Sequence, residues 1–176
     1  NRAFLDNIHV EMRVIDSTEV DTTTEIFGKK YASPIMTPAF SHLNKVLENG
    51  RTPMEEYSLA AKEMNCLNWV GMEDDEAYRS ITSHNPNTVR IIKPFADKEK
   101  IISEIRFAIE CGSTAVGVDI DHVPGTDGKY DVVDGFPMGM VSFEDLKKYV
   151  SLSKLPFVAK GVLSVQDALK ARAAGC

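Results

Sequence analysis

"LPFVAKGVLSVQDALKARAAGC", residues 155–176, carries the pattern that decides the fold. A proline opens a short apolar run, Phe157-Val158-Ala159, which ends on Lys160 and Gly161. The run is too short for a helix and does not alternate with polar residues, as expected of a strand buried on both faces. An amphipathic helix follows over 164–174, and "ARAAGC" closes it with a glycine stop, the phrase that normally introduces another strand. A lysine placed directly after a buried run and before glycine is poorly explained as a surface lysine, so Lys160 is a candidate functional residue.

The same phrase recurs upstream. Strands are predicted at 33–40 ("SPIMTPAF"), 66–72 ("CLNWVGM"), 88–95 ("TVRIIKPF"), 114–120 ("TAVGVDI") and 156–160. Helices are predicted at 52–64, 73–82, 97–112, 142–153 and 164–174. The helix starts are well marked: Thr52 as N-cap before Pro53, an acidic start at 73–76, and Ser142 with Asp145 three residues on. Gly112 stops the third helix, whose apolar face is Ile101, Ile102, Ile105, Ala108 and Ile109. A long loop lies between the fourth strand and Ser142.

Buried strands alternating with helices make a parallel sheet with right-handed crossovers. Such a sheet is either doubly wound or closed into a barrel. A dinucleotide-binding doubly wound fold would carry a Gly-rich phosphate loop after its first strand, and "TPAFSHLNK" has none. The strand C-termini instead carry His42, Lys93, Asp119 with Asp121 and His122, and Lys160. Chemistry repeated at one edge of successive strands is the plan of a barrel. The expected fold class is therefore α/β, a partial TIM (β/α)8 barrel comprising roughly the first five strand–helix units. One incomplete domain covers 1–176, with a lead-in segment and hairpin over 1–32 and the five units over 33–176. Three further units are expected beyond Cys176, and the Asn at position 1 reads as a cut N-terminus without a leader. An unclosed barrel of this kind leaves parallel edges exposed, so the piece alone is expected to be inactive and prone to aggregate.

The bulk composition narrows function by exclusion. Net charge is −6 with a pI near 5.2, and no basic stripe appears, which argues against nucleic acid and anionic membrane as partners. No apolar run approaches a membrane span. Cys66, Cys111 and Cys176 are scattered and lack metal-ligand spacing, so free thiols in a reducing, cytoplasmic setting are expected. "DIDH", ending in His122, has no second ligand cluster, so no metal is expected, and Asp119 reads as a structural charge holding a rim residue.

Three stretches carry a family resemblance. "VDTTTEIFGKKYASPIMTPAFSH" resembles the start of the barrel in FMN-dependent α-hydroxy-acid oxidases and dehydrogenases, the glycolate oxidase and lactate oxidase family. "DLKKYVSLSKLPFVAKGVLSVQDALKARAAG" resembles the same family's fifth strand, and "VDI" its fourth. The resemblance implies FMN as cofactor and oxidation of a small 2-hydroxy acid to the 2-oxo acid, in a protein that assembles as a homo-oligomer. It implies that Lys160 lies beside flavin N1 and the C2 carbonyl, where a fixed cation stabilises the charge of reduced flavin. It implies that Pro38, Ala39 and Phe40 lay backbone against the flavin ring, and that Gly71 or Val70 stands where the family supplies a hydroxyl. His42 matches a histidine of lactate oxidase-like members.

The sequence also departs from the family. Ile91 and Lys93 replace a flavin-binding Gln and a substrate-orienting Tyr, and Ile120 replaces a Thr. Lys93 could bind a substrate carboxylate as a point charge, without the geometry a Tyr gives. No Arg occurs in the long loop, where Lys129 is the available cation. The histidines (His9, His42, His84 and His122) match no "SNHGG" motif, so the family's catalytic base and its following Arg are expected beyond Cys176. Two alternatives stay open: a degenerate flavin-binding barrel without this chemistry, and a related barrel enzyme such as a type 2 isopentenyl diphosphate isomerase or an IMP dehydrogenase-like protein.

Overall fold

The computed structural model describes residues 2–41, 43 and 45–176. After a short helix α1 (Arg2–Leu5), a hairpin forms from β1 (Thr24–Ile26) and β2 (Lys29–Tyr31). Its turn places Phe27 and Gly28 at φ 52° and 72°, the paired left-handed geometry of a tight hairpin. Four strands and five helices then alternate as α2 (Pro53–Glu63), β3 (Asn68–Val70), α3 (Asp75–His84), β4 (Thr88–Ile92), α4 (Lys98–Glu110), β5 (Ala115–Asp119), α5 (Phe143–Ser153), β8 (Phe157–Lys160) and α6 (Val165–Ala174). Between β5 and α5, β6 (Val132–Val133) and β7 (Phe136–Pro137) form a second hairpin.

The helices start where the sequence predicts. Thr52 and Ser142 each close a capping box, with Glu55 and Asp145 respectively, and Pro53 occupies the first turn. Asp97 caps α4 and Ser164 caps α6. The left-handed Gly175, at φ 101°, ends α6.

The four main strands are parallel in the order β3-β4-β5-β8. The first predicted strand, 33–40, corrects to two isolated parallel bridges, Met36 with Leu67 and Phe40 with Val70. Proline is the reason: Pro34 and Pro38 have no N–H to give a ladder. Thr37 compensates, because its backbone N–H reaches Leu67 O and its hydroxyl accepts from Trp69 N at 2.8 Å. Sequential order from this segment to β8, without a reversal, is barrel winding and not the doubly wound alternative.

The strands' two faces differ. Val70, Ile92, Val116, Val118 and Phe157 meet the helices, packing with Tyr78 and Ile81 of α3, Ile101, Ile102 and Ile105 of α4 and Tyr149 of α5. Leu67, Trp69, Val89, Ile91, Ala115 and Val158 face the other way, into the barrel interior. Tyr31 of the first hairpin plugs that interior at the strand N-termini, where Lys29 Nζ also binds Asn87 Oδ1 and Thr114 Oγ1. The opposite, C-terminal rim is left for chemistry.

A charged rim as candidate functional site

Strand alternation puts Gly71, Lys93, Asp119 and Lys160 on the interior face, one step beyond the apolar layer of Trp69, Ile91, Gly117 and Val158. Register then makes three of them neighbours. Ile92 pairs with Val118, which sets Lys93 beside Asp119, and Asp119 pairs directly with Lys160. The Asp119 carboxylate takes one lysine on each oxygen: Lys160 Nζ at 2.7 Å on Oδ1 and Lys93 Nζ at 3.2 Å on Oδ2.

The environments of the three charges are unequal. The Asp119 and Lys93 side chains are 8% and 13% exposed, whereas Lys160 is 39% exposed. Lys93 is also engaged a second time, 3.2 Å from His122 Nδ1, while His122 Nε2 meets Asp131 Oδ2 at 2.9 Å. Lysine has no acceptor, so Nδ1 takes the hydrogen bond and Nε2–H donates to Asp131. Burial works against ionisation of Asp119, but hydrogen bonds from Asp121 and Lys160 and the charges of both lysines outweigh it and hold its carboxyl below the usual range. Asp121 moves the opposite way, raised by its hydrogen bond to Asp119, by burial and by that neighbour's charge. When the pair takes up a proton, Asp121 therefore receives it before Asp119. Gly161, at φ 92°, lets the chain pass Asp121 where any side chain would collide with its carboxyl.

The other predicted residues sit around this array. Pro38 and Phe40 are exposed and Ala39 half-buried at the end of the first parallel segment, with the Phe40 ring 5.8 Å from Tyr57. Gly71 donates its N–H to Phe40 O at 2.8 Å, so its amide is already used. Its lack of a side chain is what permits the approach: a Cβ there would meet Phe40 O at 2.6 Å. His42 lies outside the described residues. Ile91 lines the interior beneath Lys93. Ile120 packs against the helix-side cluster, so it is Asp119, not Ile120, that this strand presents to the interior. Lys129 sits away from the rim lysines, 84% exposed and 3.8 Å from Asp127.

Sequence reasoning missed the hairpin β6–β7 and the role of His122. "VVDGFP" held a signal, since Asp-Gly between apolar pairs favours a tight turn, and Asp134 and Gly135 adopt φ 50° and 80°. Nothing in the sequence marked His122 as the link to Lys93, because that contact spans 29 residues and depends on strand register. Among the described residues no His, Cys, Asp or Glu cluster could hold a metal, and no helix is long and apolar enough to cross a membrane. A cavity of about 410 Å³ lies elsewhere, lined by Asp74, Asp75, Glu104 and Lys100 among others, and its acidic wall does not suit an anionic cofactor.

Sequential parallel strands, helices packed on one face and charges at the C-terminal rim are the architecture of part of a β/α barrel. The sequence profile of the FMN-dependent dehydrogenases matches residues 1–141, and the chain belongs to that family, whose cofactor is FMN. No curated protein matches the chain in sequence. Among solved structures, mandelate oxidase superposes with a TM-score of 0.80 at 19% identity, covering 99% of this chain and 56% of that one. A mandelate oxidase mutant with (S)-mandelic acid gives 0.76 at 21% identity, over 99% and 55%. A mutant with the C4a-OH-FMN adduct gives 0.78 at 20%, over 99% and 56%. These likenesses establish the fold as part of a TIM barrel, and the chain spans about half the length of the structures it matches.

Proposed function

We propose that the whole protein is an FMN-dependent oxidoreductase that converts a small 2-hydroxy acid to the 2-oxo acid. The observation that carries this reading is Lys160: an inward-facing cation at the end of β8, tied by one hydrogen bond to Asp119, with 39% of its side chain exposed. An ammonium has three donors, so Lys160 retains two for a ligand. That residue fits a flavin, which gathers negative charge on reduction, and the segment Pro38, Ala39 and Phe40 would form the wall beside it. Gly71 contributes no donor, its amide being bound to Phe40 O, and the place of its missing side chain is taken by Phe40 and Ser41. FMN, when bound, supplies the two-electron acceptor for the α-carbon.

This chain's own residues then divide the work. Lys160 orients and stabilises charge. Asp119 fixes Lys160 in place and keeps its own charge through the two lysines. Lys93, half-buried and bound on both sides, supports Asp119 more than it offers itself to a substrate carboxylate. The proton-abstracting base and the partner for the substrate carboxylate would come from the remainder of the protein. We also place the whole protein in the cytoplasm as a homo-oligomer, the free cysteines being the support for a reducing compartment.

The test is anaerobic addition of lactate, glycolate or mandelate to the full-length protein reconstituted with FMN. Bleaching of the oxidised flavin band with one of them is expected. The apolar Ile91 and the occupied Lys93 favour a second reading, a barrel that binds flavin without this chemistry. Bound flavin that none of the hydroxy acids bleaches would select it.

A further inference from the structure

We infer that His122, backed by Asp131, is a positioning residue that holds Lys93 on Asp119 only while its imidazole is neutral. The inference concerns the rim itself and stands whether or not the parent oxidises hydroxy acids.

The polarity of the array leads to it. Reading along the hydrogen bonds, Lys160 and Lys93 donate to Asp119, Lys93 also donates to His122 Nδ1, and His122 donates from Nε2 to Asp131. Each link has one possible direction, because ammonium only donates and carboxylate only accepts. A proton added to His122 must go to Nδ1, the atom facing Lys93. Donor would then face donor and cation would face cation at 3.2 Å, and Lys93 must withdraw. Asp131 stabilises the imidazolium, so the contact that breaks is the one to Lys93.

The charged groups around the imidazole come from three elements and one loop. Lys93 follows β4, Asp119 and Asp121 lie at and just beyond the end of β5, Lys160 ends β8, and Asp131 comes from the segment before β6. The His122 and Asp131 side chains are 36% and 37% exposed, so solvent protons reach the switch point while Lys93 and Asp119 stay sheltered. The backbone framing this loop is firmly tied, since Asp131 N bonds Val123 O, Met138 N bonds Asp131 O and Gly139 N bonds Pro94 O. Movement on protonation is therefore assigned to the Lys93 side chain and not to the loop.

Competitive acetylation of the full-length protein across pH 5–9, mapped by mass spectrometry, tests the inference. Lys93 is scored against exposed Lys129 as the reference. The Lys93-to-Lys129 labelling ratio should rise as pH falls from 9 to 5, by about fivefold, the factor one net hydrogen bond represents. His122→Asn keeps an acceptor for Lys93 and removes the titration, so its ratio should be flat. A flat ratio in the wild type, or the same step in His122→Asn, overturns the inference.

Discussion

Replacing Asp119 with Asn should destabilise the protein by about 2–4 kcal/mol at neutral pH, and the structure says how that sum arises. The carboxylate is 8% exposed and accepts from two ammonium groups. A hydrogen bond to a charged group contributes about 1.5–3 kcal/mol. Lys93, 13% exposed, justifies that range in full. Lys160 is more than a third exposed, and solvent screening reduces its share to about 1 kcal/mol or less. Asn keeps the volume but turns an NH2 toward one of the lysines, so the loss is not recovered elsewhere. Urea unfolding of the full-length protein, followed by far-UV circular dichroism, gives the difference. A double-mutant cycle with Lys93→Met should return a coupling above about 1.5 kcal/mol, and a coupling below about 0.5 kcal/mol would refute the buried pair. The pH dependence has a definite sign. Asp119 titrates below its usual 3.8 in the folded state, so its contribution is complete above that value and is lost as pH falls through the folded one. The difference between wild type and Asp119→Asn should therefore close as pH falls below about 4.

Three further outcomes are expected. Gly71→Ala should cost about 1–3 kcal/mol in the same urea assay, because its Cβ would meet Phe40 O at 2.6 Å and Ala39 O at 3.1 Å, backbone atoms that cannot swing aside. Arg90→Lys should cost about 1–3 kcal/mol, since the guanidinium is 2% exposed, stacks 4.5 Å from the Tyr78 ring centre and bonds Glu73 O and Glu104 together, which a point charge cannot reproduce. Lys160→Met in the full-length protein should weaken FMN binding by about tenfold or lower the flavin potential, and a variant unchanged in both would remove the role assigned to Lys160.

The helices were the most legible part of the sequence. Caps are local chemistry: Thr52, Ser142 and Asp97 satisfy N–H groups within three residues of themselves, so composition alone marks them. Strands β3, β4, β5 and β8 were legible as apolar runs, though each is shorter than its run because pairing stops where register stops. The segment 33–40 was misread as a full strand because apolar character was weighed above its two prolines. The position of Lys160 at a strand end was visible, whereas its partner was not. Asp119 and Lys160 are 41 residues apart, and only β5–β8 pairing brings them together.

That dependence runs in both directions, which makes the rim evidence about the fold as well as about function. Asp119 can bind Lys93 and Lys160 at once only if β5 lies between β4 and β8, in parallel, with residues 93, 119 and 160 at one level. In the dinucleotide-binding doubly wound sheet the order reverses so that the fourth strand lies between the first and the fifth, and Asp119 would lose the neighbour that carries Lys93. Moving β8 by one residue in register would turn Lys160 toward the helices and leave Asp119 with half of its compensation. A buried carboxylate short of partners is costly, so two lysines on one aspartate penalise wrong register as well as stabilising the right one. The asymmetry between the lysines then separates the two tasks: Lys93, saturated by Asp119 and His122, secures the arrangement, and Lys160, held by a single bond, keeps donors free for what the barrel encloses.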